Sequence, residues 1–131
     1  MKKTRIAFEP EFIPGPMTFW VHKQVGDVPW IYAEEYEPAL PKPVRGLGYP
    51  CCYVEFNGFE FRFCSVAELK EAIRVLSLKN LPTTHQLSAG RIKGPNSHWL
   101  SRLPASVKPW RYRQKAVKYL MEALAQFQHE I

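Results

Sequence analysis

The chain has 131 residues, 46% of them hydrophobic, and a formal net charge of +6. That is enough apolar material for one core but too little chain for two, and it excludes a largely disordered polypeptide. No apolar run approaches the ~18 residues of a membrane span. Arg5, Glu9 and Glu11 interrupt any leader-like stretch behind Met1-Lys2-Lys3, so the expectation is a small cytoplasmic protein with no membrane partner.

Eight of the twelve prolines fall in the first fifty residues, which predicts short strands joined by stiff, extended connections. Met17 to Gln24 is rich in β-branched and aromatic residues and reads as a strand. A Gly26-Asp27 turn then leads into a second strand, Val28 to Tyr36, with Pro29 opposite Gln24 at a sheet edge. Glu37 to Pro50, with four prolines and two glycines, reads as a semi-rigid loop.

The clearest local signal is Cys51 to Phe56, Asn57-Gly58, then Phe59 to Cys64. Asn-Gly between alternating hydrophobics predicts a two-residue type I′ hairpin. Its register sets Phe56 against Phe59, Val54 against Phe61 and Cys52 against Phe63 on one apolar face. Tyr53, Glu55, Glu60, Arg62, Cys51 and Cys64 fall on the other.

Ser65 and Glu68 form an S-x-x-E capping box that opens a helix over 65–78, with Val66, Leu69, Ile73 and Leu76 inward. Residues 82–95 read as a long loop. Asn96 or Ser97 caps a short helical turn that runs through Arg102 and stops at Pro104. A last helix runs over about 107–127, tolerating Pro109 in its first turn, with Val117, Leu120, Leu124 and Phe127 as its core stripe. Strands precede the main helices, so the expected fold is α+β. An antiparallel sheet with hairpins in residues 4–64 carries the two helices mainly on one face, in a single domain spanning 1–131.

Charge divides that domain. Residues 1–71 carry eight Lys/Arg and ten Asp/Glu; residues 72–131 carry ten Lys/Arg and two Glu, with no acid between Ala72 and Met121. A polyanionic partner is the natural complement. Lys108, Arg111, Lys115 and Lys118 recur at i, i+3, i+7 and i+10, on one side of the last helix, and Arg91, Lys93 and Arg102 lie just upstream. Like charges on one face repel, whereas a phosphate backbone gains counterion release from each contact. Trp99, Trp110 and Tyr112 interleave with these charges as possible stacking platforms, which tilts the expected partner toward RNA or single-stranded DNA. Gly90 to Gly94 lacks the spacing of a Walker loop and reads as a connector.

Other chemistries have candidate residues too. Glu55 and Glu60 face each other across the hairpin with Arg62 nearby. Arg62 either neutralises the pair or serves a metal-dependent nuclease in which the carboxylates hold the ion and Arg62 the phosphate. His85 and His98 flank the basic loop, where a metal-free ribonuclease would need them. Cys51 faces Cys64 closely enough for a reversible disulfide, while Cys52 points into the core. No zinc-type spacing occurs, and neither a metal nor a cofactor is expected. The leading expectation is a non-enzymatic nucleic-acid-binding protein. An interaction module docking its basic face on an acidic protein surface is the alternative, and the nuclease is a third reading.

Overall fold

The computed structural model describes residues 2–83, 86 and 98–131. Three strands form the main sheet: β1 (Lys2–Glu9), β4 (Tyr49–Phe56) and β5 (Phe59–Phe63), all antiparallel, with β4 in the centre. The Asn57-Gly58 turn takes positive φ at both residues, +50° and +85°, as a type I′ hairpin requires. The pairings Phe56↔Phe59, Val54↔Phe61 and Cys52↔Phe63 follow the predicted register. β1 adds to the far side of β4, from Lys2↔Phe56 to Glu9↔Tyr49. Its own alternation, Thr4, Ile6 and Phe8 against Lys3, Arg5 and Ala7, is the sequence signal for that strand.

Two helices cover the phenylalanine face: α2 (Val66–Leu76) and α3 (Trp110–Glu130), which pack against each other. This is the expected α+β arrangement. The core joins Val54, Phe61 and Phe63 of the sheet to Leu69, Val75 and Leu76 of α2 and to Leu120 and Phe127 of α3. Alanines at 72, 116 and 123 are all buried and let the two helices approach. The buried stripes are rotated slightly from those expected. Val66, Ile73, Val117 and Leu124 are only partly buried, while Ala72, Val75, Ala116 and Ala123 go fully inside. α3 begins at Trp110 rather than near 107, with Pro109 as its N-cap and a 3₁₀ turn, Ala105–Val107, before it.

The first hairpin is a correction. Instead of a strand over Met17 to Gln24, Thr18–Val21 forms a four-residue helix, α1. Only Lys23–Gln24 (β2) and Tyr36–Glu37 (β3) pair, so Gln24 opposes Tyr36 and not Pro29. Trp30–Tyr32, expected within a strand, is a 3₁₀ turn. Tertiary contact overrides β-propensity here: the helix turn sends both Thr18 and Trp20 inward, where both are buried.

A buried polar network fixes α1 on α2. The Ser65 hydroxyl accepts from the Glu68 backbone N–H (3.2 Å), which is the first half of the capping box. The Glu68 side chain departs from the motif: one oxygen accepts from the Cys64 N–H (3.2 Å) and the other from the Thr18 hydroxyl (2.9 Å). Thr18 in turn accepts from the Gly15 N–H (2.8 Å).

Gly48, at φ +108°, supports the turn into β4. A Cβ there would overlap the Glu9 carbonyl oxygen of the paired strand. Gly48→Ala is therefore expected to cost about 2 kcal/mol, from left-handed strain plus the backbone clash. Gly46→Ala, also at positive φ but with nothing within 4 Å, is expected to cost about 1 kcal/mol. Urea denaturation of the two variants makes the comparison, and equal losses would remove the clash from the account.

Candidate nucleic-acid interface

α3 has two sides. Arg113, Ala116, Leu120, Ala123 and Phe127 are buried, a stripe spaced three and four residues apart. Arg111, Lys115 and Lys118 are exposed. At 100° per residue their mean direction lies about 150° from the buried stripe, so packing turns them outward together. Arg111 and Lys115 line a shallow groove with Phe56, Asn57, Pro109 and Tyr112 at the tip of the β4–β5 hairpin. Lys108 does not belong to the helix. It follows the 3₁₀ turn, is half-buried, and its carbonyl is held by Arg113. Arg102 is exposed and lies elsewhere, on a cleft of about 270 Å³ along Phe59–Phe63 of the β5 edge. Three of the predicted contacts thus share one helix face, with Lys108 at its approach and Arg102 apart. Arg91 and Lys93 lie outside the described residues.

Packing removes one of the three aromatic residues read as stacking platforms, Trp99, and leaves Trp110 and Tyr112 half-buried. Trp99 is 4% exposed and belongs to the core. Trp110 is half-buried, with the Arg113 guanidinium 5.1 Å from its ring centre. The ring of Tyr112 lies 4.8 Å from that of Phe56, and its hydroxyl donates to the Phe56 carbonyl (3.0 Å). No free ring face is left at Trp99, whereas Tyr112, packed on Phe56, still borders the groove with Arg111 and Lys115.

On the opposite face of the sheet, Glu55 and Glu60 are paired as expected. β1 places Lys3 across from Glu55, so a cation and two carboxylates run in a row over three strands. Arg62 does not bridge that pair. Its guanidinium donates to the carbonyls of Ile13 (2.8 Å) and Pro14 (3.3 Å), strapping the chain before α1 onto the sheet. With Arg62 so engaged, the proposed nuclease set of Glu55, Glu60 and Arg62 is not assembled. Among the described residues no group of three or more His, Cys, Asp or Glu side chains is placed to hold a metal ion.

Histidine 98 is buried between Trp20 (ring centres 4.6 Å apart) and Trp99 (5.5 Å). Its Nδ1 accepts from the Leu100 N–H (3.1 Å), and burial lowers its pKa to about 4. It is a neutral packing residue, not a surface acid–base group. His85 lies outside the described residues. All three cysteines are buried free thiols. The Cys64 thiol donates to the Ile13 carbonyl (3.4 Å), and burial together with the Glu68 carboxylate pushes its pKa up to about 12, which leaves little thiolate for exchange with Cys51.

Sequence reasoning missed two polar centres. One is Arg113, whose signal is its place in the three-and-four spacing with Ala116 and Leu120. The other is His22, 1% exposed, whose Nδ1 meets the Pro38 carbonyl (2.8 Å) and whose Nε2 meets the Ser65 hydroxyl (2.7 Å). No local pattern announces it, because its partners lie sixteen and forty-three residues away. No protein-family model, curated protein or solved structure matches this chain.

Proposed function

We propose that the protein binds nucleic acid by its phosphate backbone, without reading sequence, through Arg111, Lys115 and Lys118, with Lys108 and Arg102 as flanking contacts. Arg91 and Lys93 extend the same basic chain segment. The observation that carries this reading is the exposure of three cations on the side of α3 that faces away from the core. Mutual repulsion among them brings the fold no benefit, whereas neutralised phosphates release their condensed counterions. Because Trp99 is in the core and Tyr112 packs on Phe56, base stacking adds little reason to favour single strands, and charge density makes duplexes equal candidates. A reducing, cytoplasmic setting fits the three unpaired thiols.

Fluorescence anisotropy with labelled single-stranded RNA, single-stranded DNA and duplex DNA over a salt series tests the proposal. Reversing Lys108, Arg111, Lys115 and Lys118 to Glu is expected to weaken binding at least 100-fold. Because the slope is about −0.9 per phosphate on B-DNA, the log–log salt dependence should flatten by about 3.6 for the four lost contacts. Unchanged affinity in that variant would refute the placement of the site. Absence of binding to all three probes at low salt would refute the nucleic-acid reading and turn attention to an acidic protein partner.

A further inference from the structure

We propose that Ser65 and His22 form a nucleophile–base pair that hydrolyses small carboxylic esters in a cleft distinct from the basic face of α3. Three independent observations meet there. The first is the hydrogen bond itself: the Ser65 hydroxyl lies 2.7 Å from His22 Nε2, while Nδ1 lies 2.8 Å from the Pro38 carbonyl. A carbonyl accepts only, so the neutral ring carries its proton on Nδ1 and presents a bare Nε2 to the serine hydroxyl. That is the tautomer a general base needs.

The second is access. A cleft of about 290 Å³ reaches His22, Cys64 and Ser65. Its walls include Pro41, Val44, Pro50 and Phe127, and the exposed Lys42 also borders it. The volume and apolar walls suit a short acyl chain.

The third is the position of Ser65 at the N-cap of the eleven-residue α2. Val66 and Ala67 line the same cleft, and their backbone N–H groups have no acceptor among the described residues. First-turn amides have no intrahelical partner and, with the helix dipole, are suited to an oxyanion. The Glu68 carboxylate, 3.6 Å from Nε2, faces the imidazolium that would form.

The chemistry balances without any co-reactant other than water. Ser65 Oγ attacks the ester carbonyl carbon as its proton moves to His22 Nε2, and the carbonyl oxygen takes the negative charge. Collapse breaks the ester C–O bond, and the departing alkoxide receives the proton from Nε2. Water then gives a proton to Nε2 and attacks the acyl-serine. The Oγ–acyl bond breaks, Oγ regains the proton, and a carboxylic acid is released.

The test uses the intact protein with an alkyl fluorophosphonate and with p-nitrophenyl butyrate. The expected results are a phosphonyl adduct on the peptide containing Ser65, absent after heat denaturation, and p-nitrophenolate release at least tenfold above that of Ser65→Asn. Asparagine keeps a cap acceptor but has no nucleophile. If Ser65→Asn fails to fold, the labelling of the wild-type protein decides alone. No adduct on Ser65, equal labelling of denatured protein, or unchanged ester cleavage by a folded Ser65→Asn would each overturn the proposal.

Discussion

Replacing Arg113 with leucine is expected to lower the unfolding free energy by about 4 kcal/mol. Arg113 is 4% exposed, and its guanidinium donates to the carbonyls of Leu76 (3.2 Å), Leu78, Lys79 (2.9 Å) and Lys108 (2.7 Å). Leu76 is the last residue of α2, where a helix leaves its carbonyls without a partner of their own, and Leu78 and Lys79 belong to the turn that follows. A charged donor is worth about 1.5–3 kcal/mol, and each carbonyl left buried without one costs a further 1–3 kcal/mol, moderated by water reaching the outer ones. Leucine matches the apolar stem but none of this. Arg113→Lys should recover less than half, because one ammonium cannot span the fork of acceptors. Urea denaturation measures both variants. A leucine variant within about 1 kcal/mol of wild type would mean that solvent satisfies the α2 terminus by itself.

The second large effect concerns pH. Burial raises the Glu68 pKa to about 7, above the usual carboxylate range, although its hydrogen bonds from Cys64 and Thr18 oppose the shift. The folded state therefore holds that proton more tightly than the unfolded chain. This contribution is full below about pH 4.5 and is lost as pH rises toward 7. Burial acts in the opposite sense on His98, lowered from 6.5 to about 4, and lowers His22 as well. Their contribution is full above pH 6.5 and is lost as pH falls through the folded values. At 1.36 kcal/mol per pH unit, Glu68 and His98 are each worth about 3 kcal/mol with opposite sign. The wild-type stability curve between pH 7 and 4.5 should then be shallow. Glu68→Gln keeps the acceptor for Cys64 but cannot titrate, and should expose the histidine contribution as a loss of about 3 kcal/mol on acidification. A Glu68→Gln curve as shallow as that of wild type would show that the buried carboxyl does not titrate in this range.

These two centres also mark where the sequence stops being informative. The β4–β5 hairpin could be read to the residue because Asn57-Gly58 fixes the turn and the period-two phenylalanines fix the face. The α2 start was equally legible from Ser65 and Glu68 at capping-box spacing. Thr18–Val21 was not, because its composition favours a strand and only the distant Glu68 carboxylate makes a helical turn better. The exposed positions of Arg111, Lys115 and Lys118 followed from helical spacing. The same spacing puts Arg113 on the buried side, but the backbone carbonyls that make a cation tolerable there come from distant residues and leave no local pattern. The tryptophans show the same limit: an aromatic residue among lysines has the same local pattern whether its ring stacks on a base or, like Trp99, fills the core.

The central position of β4 has a consequence for how the chain folds. Its partner β5 lies across a two-residue turn, and α2 follows at once, so sheet, cap and helix can form from neighbouring residues. β1 pairs with β4 only after the whole proline-rich segment between Glu9 and Tyr49 has been closed into a loop. Loop entropy delays such contacts, so β1 should dock after the folding transition state. Substitutions at Ile6 would then speed unfolding with little change in the folding rate, whereas those at Val54 or Leu69 would slow folding itself. Among the described strands, β1 is the one separated from its partner by the longest stretch of chain.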